Sequence, residues 1–144
     1  MDTPVEVVSR EQVDTLLAHP DREDVLGLRD AAVLATLYFA AATAVEVAGL
    51  NLSDVQMRRK QLLLRGEDGS RRRVPLEKPL REVLDAYRQR SRRLLLAQRG
   101  GDVRQVEAFF LGNKALRIKV QDVRQLVGSN AKAAGLGSAV NLNT

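Results

Sequence analysis

The stretch Asp54-Val55-Gln56-Met57-Arg58-Arg59-Lys60-Gln61-Leu62-Leu63-Leu64-Arg65-Gly66-Glu67-Asp68-Gly69-Ser70-Arg71-Arg72-Arg73-Val74-Pro75-Leu76 decides the fold. Gln61–Arg65 and Arg71–Leu76 flank a five-residue turn signal, Gly66 to Ser70, so the pattern predicts a β-hairpin. Residues 54–57 add a third short strand, joined to the hairpin by a turn through Arg58–Lys60. Side chains alternate faces along a strand, which sends Arg71 and Arg73 to one side and Arg72 to the other. Pro75 has no N–H to give a further ladder and closes the strand.

Outward from this sheet the chain reads as helix. On the N-terminal side, Ser9-Arg10-Glu11-Gln12 is a capping box, Val13, Leu16 and Leu17 form one apolar stripe, and Pro20 stops the helix. A second helix is predicted from Leu28 to about Ala42, with Ala32, Leu34, Leu37, Tyr38 and Ala41 apolar all round it, hence buried on most sides. Thr43–Leu50 reads as a short third helix ending near Gly49. Past the hairpin, Pro79 to Gln98 is helical, with Leu80, Val83, Leu84 and Tyr87 on one face and Arg81, Arg88, Arg90, Arg92 and Arg93 on the remainder. Phe109-Phe110-Leu111 is an apolar anchor, and Lys119–Ala134 is a last helix ended by Gly135. The expected fold is α+β: a mostly helical single domain over 1–144 with a small three-stranded antiparallel sheet.

Composition narrows the chemistry. With no cysteine and one histidine, His19, in 144 residues, disulfides, thiolate sites, histidine zinc sites and Ser-His-Asp triads are set aside. No metal and no cofactor is expected. Apolar runs fall short of the ~20 residues that span a bilayer, and the N-terminus has no secretory pattern, so a cytoplasmic protein without a membrane partner is expected. Charge is divided: residues 1–56 hold three arginines against ten carboxylates, whereas 57–144 hold 20 basic against eight acidic side chains. Such an excess in one part points to a polyanion, nucleic acid first.

The order of elements and several strings resemble the catalytic domain of tyrosine recombinases, the phage integrases and Xer-type recombinases. Gly27-Leu28-Arg29-Asp30, Leu37-Tyr38 and Glu46-Val47-Ala48-Gly49-Leu50-Asn51-Leu52-Ser53-Asp54-Val55 are similar to the family's first signature box. Arg72-Arg73-Val74-Pro75-Leu76 looks like the segment after its lysine loop, and Phe110-Leu111 with Ala131-Lys132-Ala133-Ala134-Gly135-Leu136 like the approach to its second box. The resemblance spans residues 9–144, which would correspond to the N-terminal two-thirds of the catalytic domain, without the family's N-terminal core-binding domain.

The resemblance implies a DNA strand-cleaving and rejoining enzyme that stabilises charge on a scissile phosphate with cations and protonates the leaving oxygen. Position by position, the first-box arginine falls on Thr43, the hairpin lysine on Glu67, and the second-box His/Lys on Asn143. The spacing between the first two, 43 to 67, is the family's own. The second arginine, the His/Trp and the tyrosine would follow Thr144. Losing one transition-state donor costs ~10²–10³ in rate, so no catalytic residue is assigned and a pseudoenzyme is expected. Tyr38 and Tyr87 read as packing residues, and Glu67-Asp68 as a solvated tip rather than a metal pair.

DNA binding is the activity left. Arg58, Arg59, Lys60, Arg65, Arg71, Arg72 and Arg73 around the sheet, and Lys114, Arg117 and Lys119 before the last helix, are the candidate phosphate contacts. Binding to duplex DNA is expected to be weak, salt-sensitive and largely non-specific. The alternatives are an interaction module for an intact recombinase that does not bind DNA, and a remnant of a mobile element.

Overall fold

A computed structural model of the chain describes residues 9–136. Three helices come first: α1 (Arg10–Ala18), α2 (Val25–Phe39) and α3 (Ala44–Ala48). Strands β1 (Val55–Gln56), β2 (Gln61–Arg65) and β3 (Arg71–Pro75) follow, then α4 (Lys78–Ala86), α5 (Arg93–Arg99) and α6 (Val120–Ala133). The α+β architecture expected from the sequence is present.

Local chemistry sets the helix starts. Ser9 and Gln12 cap α1 reciprocally: the Gln12 N–H donates to Ser9 Oγ at 3.1 Å and the Ser9 N–H to Gln12 Oε1 at 2.9 Å. The second helix starts three residues earlier than the Leu28 expected, because Asp24 caps it by accepting the Gly27 N–H at 2.9 Å. It also ends earlier, at Phe39, where Ala41 turns into the left-handed region at φ 49°. Its residues 31–37 are all buried, so α2 runs through the middle of the molecule with α4 and the turn after it packed alongside. Fully burying a leucine such as Leu34 or Leu37 contributes about 1.5–3 kcal/mol.

The helix expected over 79–98 is interrupted by a six-residue π turn, Tyr87–Arg92. A π turn adds a residue to the ladder, and the buried stripe moves accordingly: Leu80, Val83, Leu84 and Tyr87 are followed by Ser91, Arg92 and Leu96, while Leu94 is left exposed. Arg92 was expected on the outer face; it is instead buried, donating to the carbonyls of Ala108 (2.7 and 3.0 Å) and Val106 (2.8 Å). The guanidinium thereby satisfies both carbonyls. Tyr87 stacks with Phe109 and Phe110 at centroid distances of 5.4 and 5.2 Å, and its hydroxyl accepts the Leu111 N–H at 3.0 Å.

The sheet has the order β1-β2-β3, antiparallel throughout. Leu62 pairs with Val74 and Leu64 with Arg72, so these four share the core-side face. Leu63 pairs with Arg73 and Arg65 with Arg71 on the outer face. The segment after α5 is stitched to the end of α3 by Leu52 N–H to Glu107 O (2.8 Å) and Phe109 N–H to Leu50 O (2.9 Å).

Candidate nucleic-acid interface

Three of the ten candidate cations are structural. Arg72 reaches from β3 to α3, where Nε donates to Glu46 Oε2 and Nη2 to Glu46 Oε1, each at 2.9 Å, and Nη2 also donates to the Ala41 carbonyl at 2.9 Å. Glu46 is buried and in turn completes a capping box with Thr43: the Thr43 N–H donates to Glu46 Oε1 at 3.0 Å and the Glu46 N–H to Thr43 Oγ1 at 3.1 Å. The Arg72 guanidinium, aided by the Thr43 N–H, holds the Glu46 carboxyl below its usual range against the opposing push of burial. At Thr43, where the family resemblance calls for a phosphate-binding arginine, the chain therefore carries a helix cap. The guanidinium beside that cap is already neutralised.

Arg65 pairs with the buried Asp54 at 2.8 Å, and Asp54 also accepts the Asn51 N–H at 2.9 Å. Arg117 completes the chain of contacts, donating to the Ala48 and Leu50 carbonyls at 3.0 Å each and to Asn51 Oδ1. These bonds tie the C-terminal end of α3 to the strands and to the entry of α6. They explain arginine, with its planar set of donors, better than lysine at these positions.

The other seven, Arg58, Arg59, Lys60, Arg71, Arg73, Lys114 and Lys119, are exposed and form no ion pair among the described residues. They are not one patch. Arg58–Lys60 lie in the β1–β2 turn and Arg71 beside the hairpin tip, at opposite ends of β2; four residue steps at about 3.4 Å put them roughly 14 Å apart. Lys119 is the N-cap residue of α6, close to the end of α3 that Arg117 holds. Lys114 stands apart from the sheet in a turn with φ 60°, among α5 and α2 residues.

The tip carries negative charge. Gly66 N–H donates to Ser70 O at 2.8 Å, Gly69 takes φ 83°, and Asp68 Oδ1 accepts the Ser70 N–H at 3.0 Å. The Ser70 hydroxyl and N–H hold the Asp68 carboxyl below its usual range. Glu67 is exposed beside it. Asn143, the third family position named above, lies outside the described residues. Tyr87 is not available as a nucleophile: burial pushes its phenol up to about 12, and its oxygen is committed to Leu111. Among the described residues, no three His, Cys, Asp or Glu side chains are grouped to hold a metal, and no helix is long and apolar enough to cross a membrane.

A polar network that the sequence reading missed joins distant segments. His19 Nδ1 lies 3.1 Å from Asn130 Oδ1, Asn130 Nδ2 donates to Asp30 Oδ2 at 3.3 Å, and Arg29 Nη2 to Asp30 Oδ1 at 2.9 Å. Asn130, which joins its two halves, lies 111 positions from His19 and 100 from Asp30, so no local pattern announces the network.

Residues 6–143 match the sequence profile of the phage integrase family. The chain is 38% identical over 116 residues to tyrosine recombinase XerD of Mycobacterium tuberculosis, covering 81% of this chain and 36% of that protein. To XerD of Neisseria meningitidis serogroup B it is 30% identical over 131 residues, 91% of this chain and 43% of the relative. A crystal structure of XerA recombinase superposes with a TM-score of 0.70 at 19% identity, covering 93% of this chain and 45% of that one. The chain thus spans less than half the length of each of these relatives. With the helical order, the three-stranded sheet and the first-box segment in place, the chain belongs to the phage integrase family of tyrosine recombinases.

Proposed function

We propose that this chain binds duplex DNA in the cytoplasm through its exposed hairpin cations and the entry of α6, and does not itself cleave the strand. What supports binding is the outer face of β3: Arg71 and Arg73 stand side by side, exposed and free of carboxylate partners among the described residues, with Lys119 a further exposed cation. What supports the absence of cleavage is Thr43, whose hydroxyl is spent capping α3 while the adjacent Arg72 is spent on Glu46. At the other position where the family resemblance calls for a cation, Glu67 brings a negative charge toward a phosphate. Losing one such donor costs ~10²–10³ in rate, and here both are replaced.

Fluorescence anisotropy of the purified chain against a labelled duplex of about 30 base pairs, at several salt concentrations, tests the binding. Neutralising two to four phosphates predicts a log–log slope of affinity against salt of about −2 to −4. No binding at low salt would overturn it. Incubation with a nicked duplex followed by a denaturing gel tests the second half: free DNA is expected, and a protein-shifted band would overturn the absence of cleavage.

A further inference from the structure

A groove of ≈ 490 Å³ lies between the start of α2, α5 and the turn at 112–115. Its wall carries Arg29, Arg99 and Lys114 and no carboxylate; Arg29 is already paired with Asp30 at 2.9 Å, which leaves Arg99 and Lys114 as the cations without an ion pair among the described residues. Leucines border it. Leu26, 48% exposed, and Leu95 form part of the wall, while Leu94 (49%) and Leu116 (54%) adjoin wall residues in the chain. Leu26, Leu94 and Leu116 are the large apolar side chains left in solvent among the described residues; Leu26 lies in this wall and Leu116 adjoins it in the chain, while Leu94 lines a separate hollow with Glu23 and Asp24. A soluble surface seldom gathers its exposed apolar groups in one place without something to cover them.

Two features determine what covers it. The cations select a negatively charged occupant. Lys114 lies in a turn of successive left-handed residues, φ 60° at Lys114 and 55° at Ala115, is exposed, and has no ion-pair partner among the described residues. Arg99 spends one donor on the Ala115 carbonyl at 3.2 Å and keeps others. The apolar groups, meanwhile, run from Leu26 and Leu95 in the wall to Leu116 beside Ala115, farther than a small anion would cover. Beyond Gly112 and Asn113 a second hollow opens, and there the unpaired charge is the carboxylate of Asp122, beside the Arg29–Asp30 pair. A bound segment would therefore have a direction, its carboxylates toward Arg99 and Lys114.

We propose that this groove docks an acidic, leucine-bearing amphipathic helical segment of a partner protein. Apolar side chains on one helical face enter between Leu26 and Leu95, and carboxylates beside that face pair with Lys114 and Arg99. No wall residue comes from the hairpin, so this surface is separate from the one assigned to DNA.

The test uses the whole chain and a fluorescein-labelled synthetic helix with leucines at i, i+3, i+4 and i+7 and glutamates at the flanking positions. Two control peptides replace every leucine by serine or every glutamate by lysine. The acidic leucine peptide is expected to bind, and both controls to bind at least about 10-fold more weakly, since truncating an anchor removes that much. Leu26→Glu and Lys114→Glu, both at exposed positions and with the fold checked by circular dichroism, should each weaken the peptide about 10-fold. Arg73→Glu, on the hairpin, should not. Absence of binding, equal binding of the serine control (a charge effect alone), or indifference to Leu26→Glu would overturn the proposal. So would concentration-dependent self-association in sedimentation that Leu26→Glu abolishes, because the occupant would then be a second copy.

Discussion

Arg71, Arg72 and Arg73 are three identical side chains in one strand, and the structure gives them two different roles. Arg72 faces the core side and is tied by two 2.9 Å bonds to a carboxylate that is itself buried, at the seam between β3 and α3. Its neighbours face outward beside Arg65 and Leu63, exposed and unpaired. Strand parity, not residue type, separates a cation that holds the fold from two that can meet a phosphate. Counting basic residues overstates the number of cations available to the proposed DNA contact for that reason.

Substitution separates the two roles. Arg72→Met leaves Glu46 buried without its counter-charge. A fully buried broken pair costs about 3–5 kcal/mol, but the Arg72 side chain is 44% exposed, so water softens the loss to about 2 kcal/mol. Urea unfolding should show that drop in Arg72→Met and changes within about 0.5 kcal/mol in Arg71→Met and Arg73→Met. DNA affinity should respond the other way. The double variant Arg71→Ser/Arg73→Ser should bind a duplex about 10-fold more weakly in moderate salt and flatten the salt slope by about 1.8, two phosphates' worth. Equal stability losses at all three positions would break the comparison.

Acid sharpens it. The Glu46 carboxyl is held below its usual value of 4.5 by Arg72 in the folded state. A depressed carboxylate pKa adds stability that is complete above the unfolded value and is lost as pH falls through the folded one. Wild type should therefore lose its advantage over Glu46→Gln as pH drops below about 4.5, converging when Glu46 is protonated. Glu46→Gln keeps an acceptor for the Thr43 N–H, so the difference reports the charge rather than the cap. Thermal unfolding of both chains between pH 3 and pH 7 measures it.

How much was legible follows the range of the interactions. The hairpin, its turn and the Ser9 cap are local, and glycine placement with strand alternation reveals them. Even the parity of Arg71–Arg73 is a local property. That Arg72 is spent on Glu46 is not, because the partner lies 26 positions away and nothing in an Arg-Arg-Arg run says which member is paired. The same holds for Arg65 and Arg117, two further candidate phosphate contacts, whose partners lie 11 and 66 or more positions away. The burial of Arg92 needed the π turn, a one-residue phase change that an α-helical periodicity cannot show, and the carbonyls it serves lie in an irregular segment without periodicity. At the candidate site the sequence supplied the substituted positions Thr43 and Glu67. The capping role of Thr43 is local too, a Thr-x-x-Glu box of the same kind as Ser9 to Gln12, whereas the separation of Lys114 from the sheet is set by packing that no local pattern shows.

The smallest effect lies at the tip. Glu67 is exposed and has no ion pair among the described residues, so Glu67→Gln should leave stability within about 0.5 kcal/mol. It removes one negative charge near Arg71, at the hairpin end nearest the proposed phosphate path. With a Debye length of about 8 Å at physiological salt, one exposed charge at that range shifts affinity about 2–3-fold. Glu67→Lys, reversing the charge, should gain about twice that free energy, and both gains should vanish near 1 M salt, where the screening length is about 3 Å. If neither variant tightens binding at low salt, the tip does not approach the duplex. The contact would then shift to the turn Arg58–Lys60, at the other end of the sheet. Anisotropy with Arg58→Ser/Arg59→Ser beside Arg71→Ser/Arg73→Ser decides which end of β2 faces DNA, because the two sets are too far apart to lose the same phosphates.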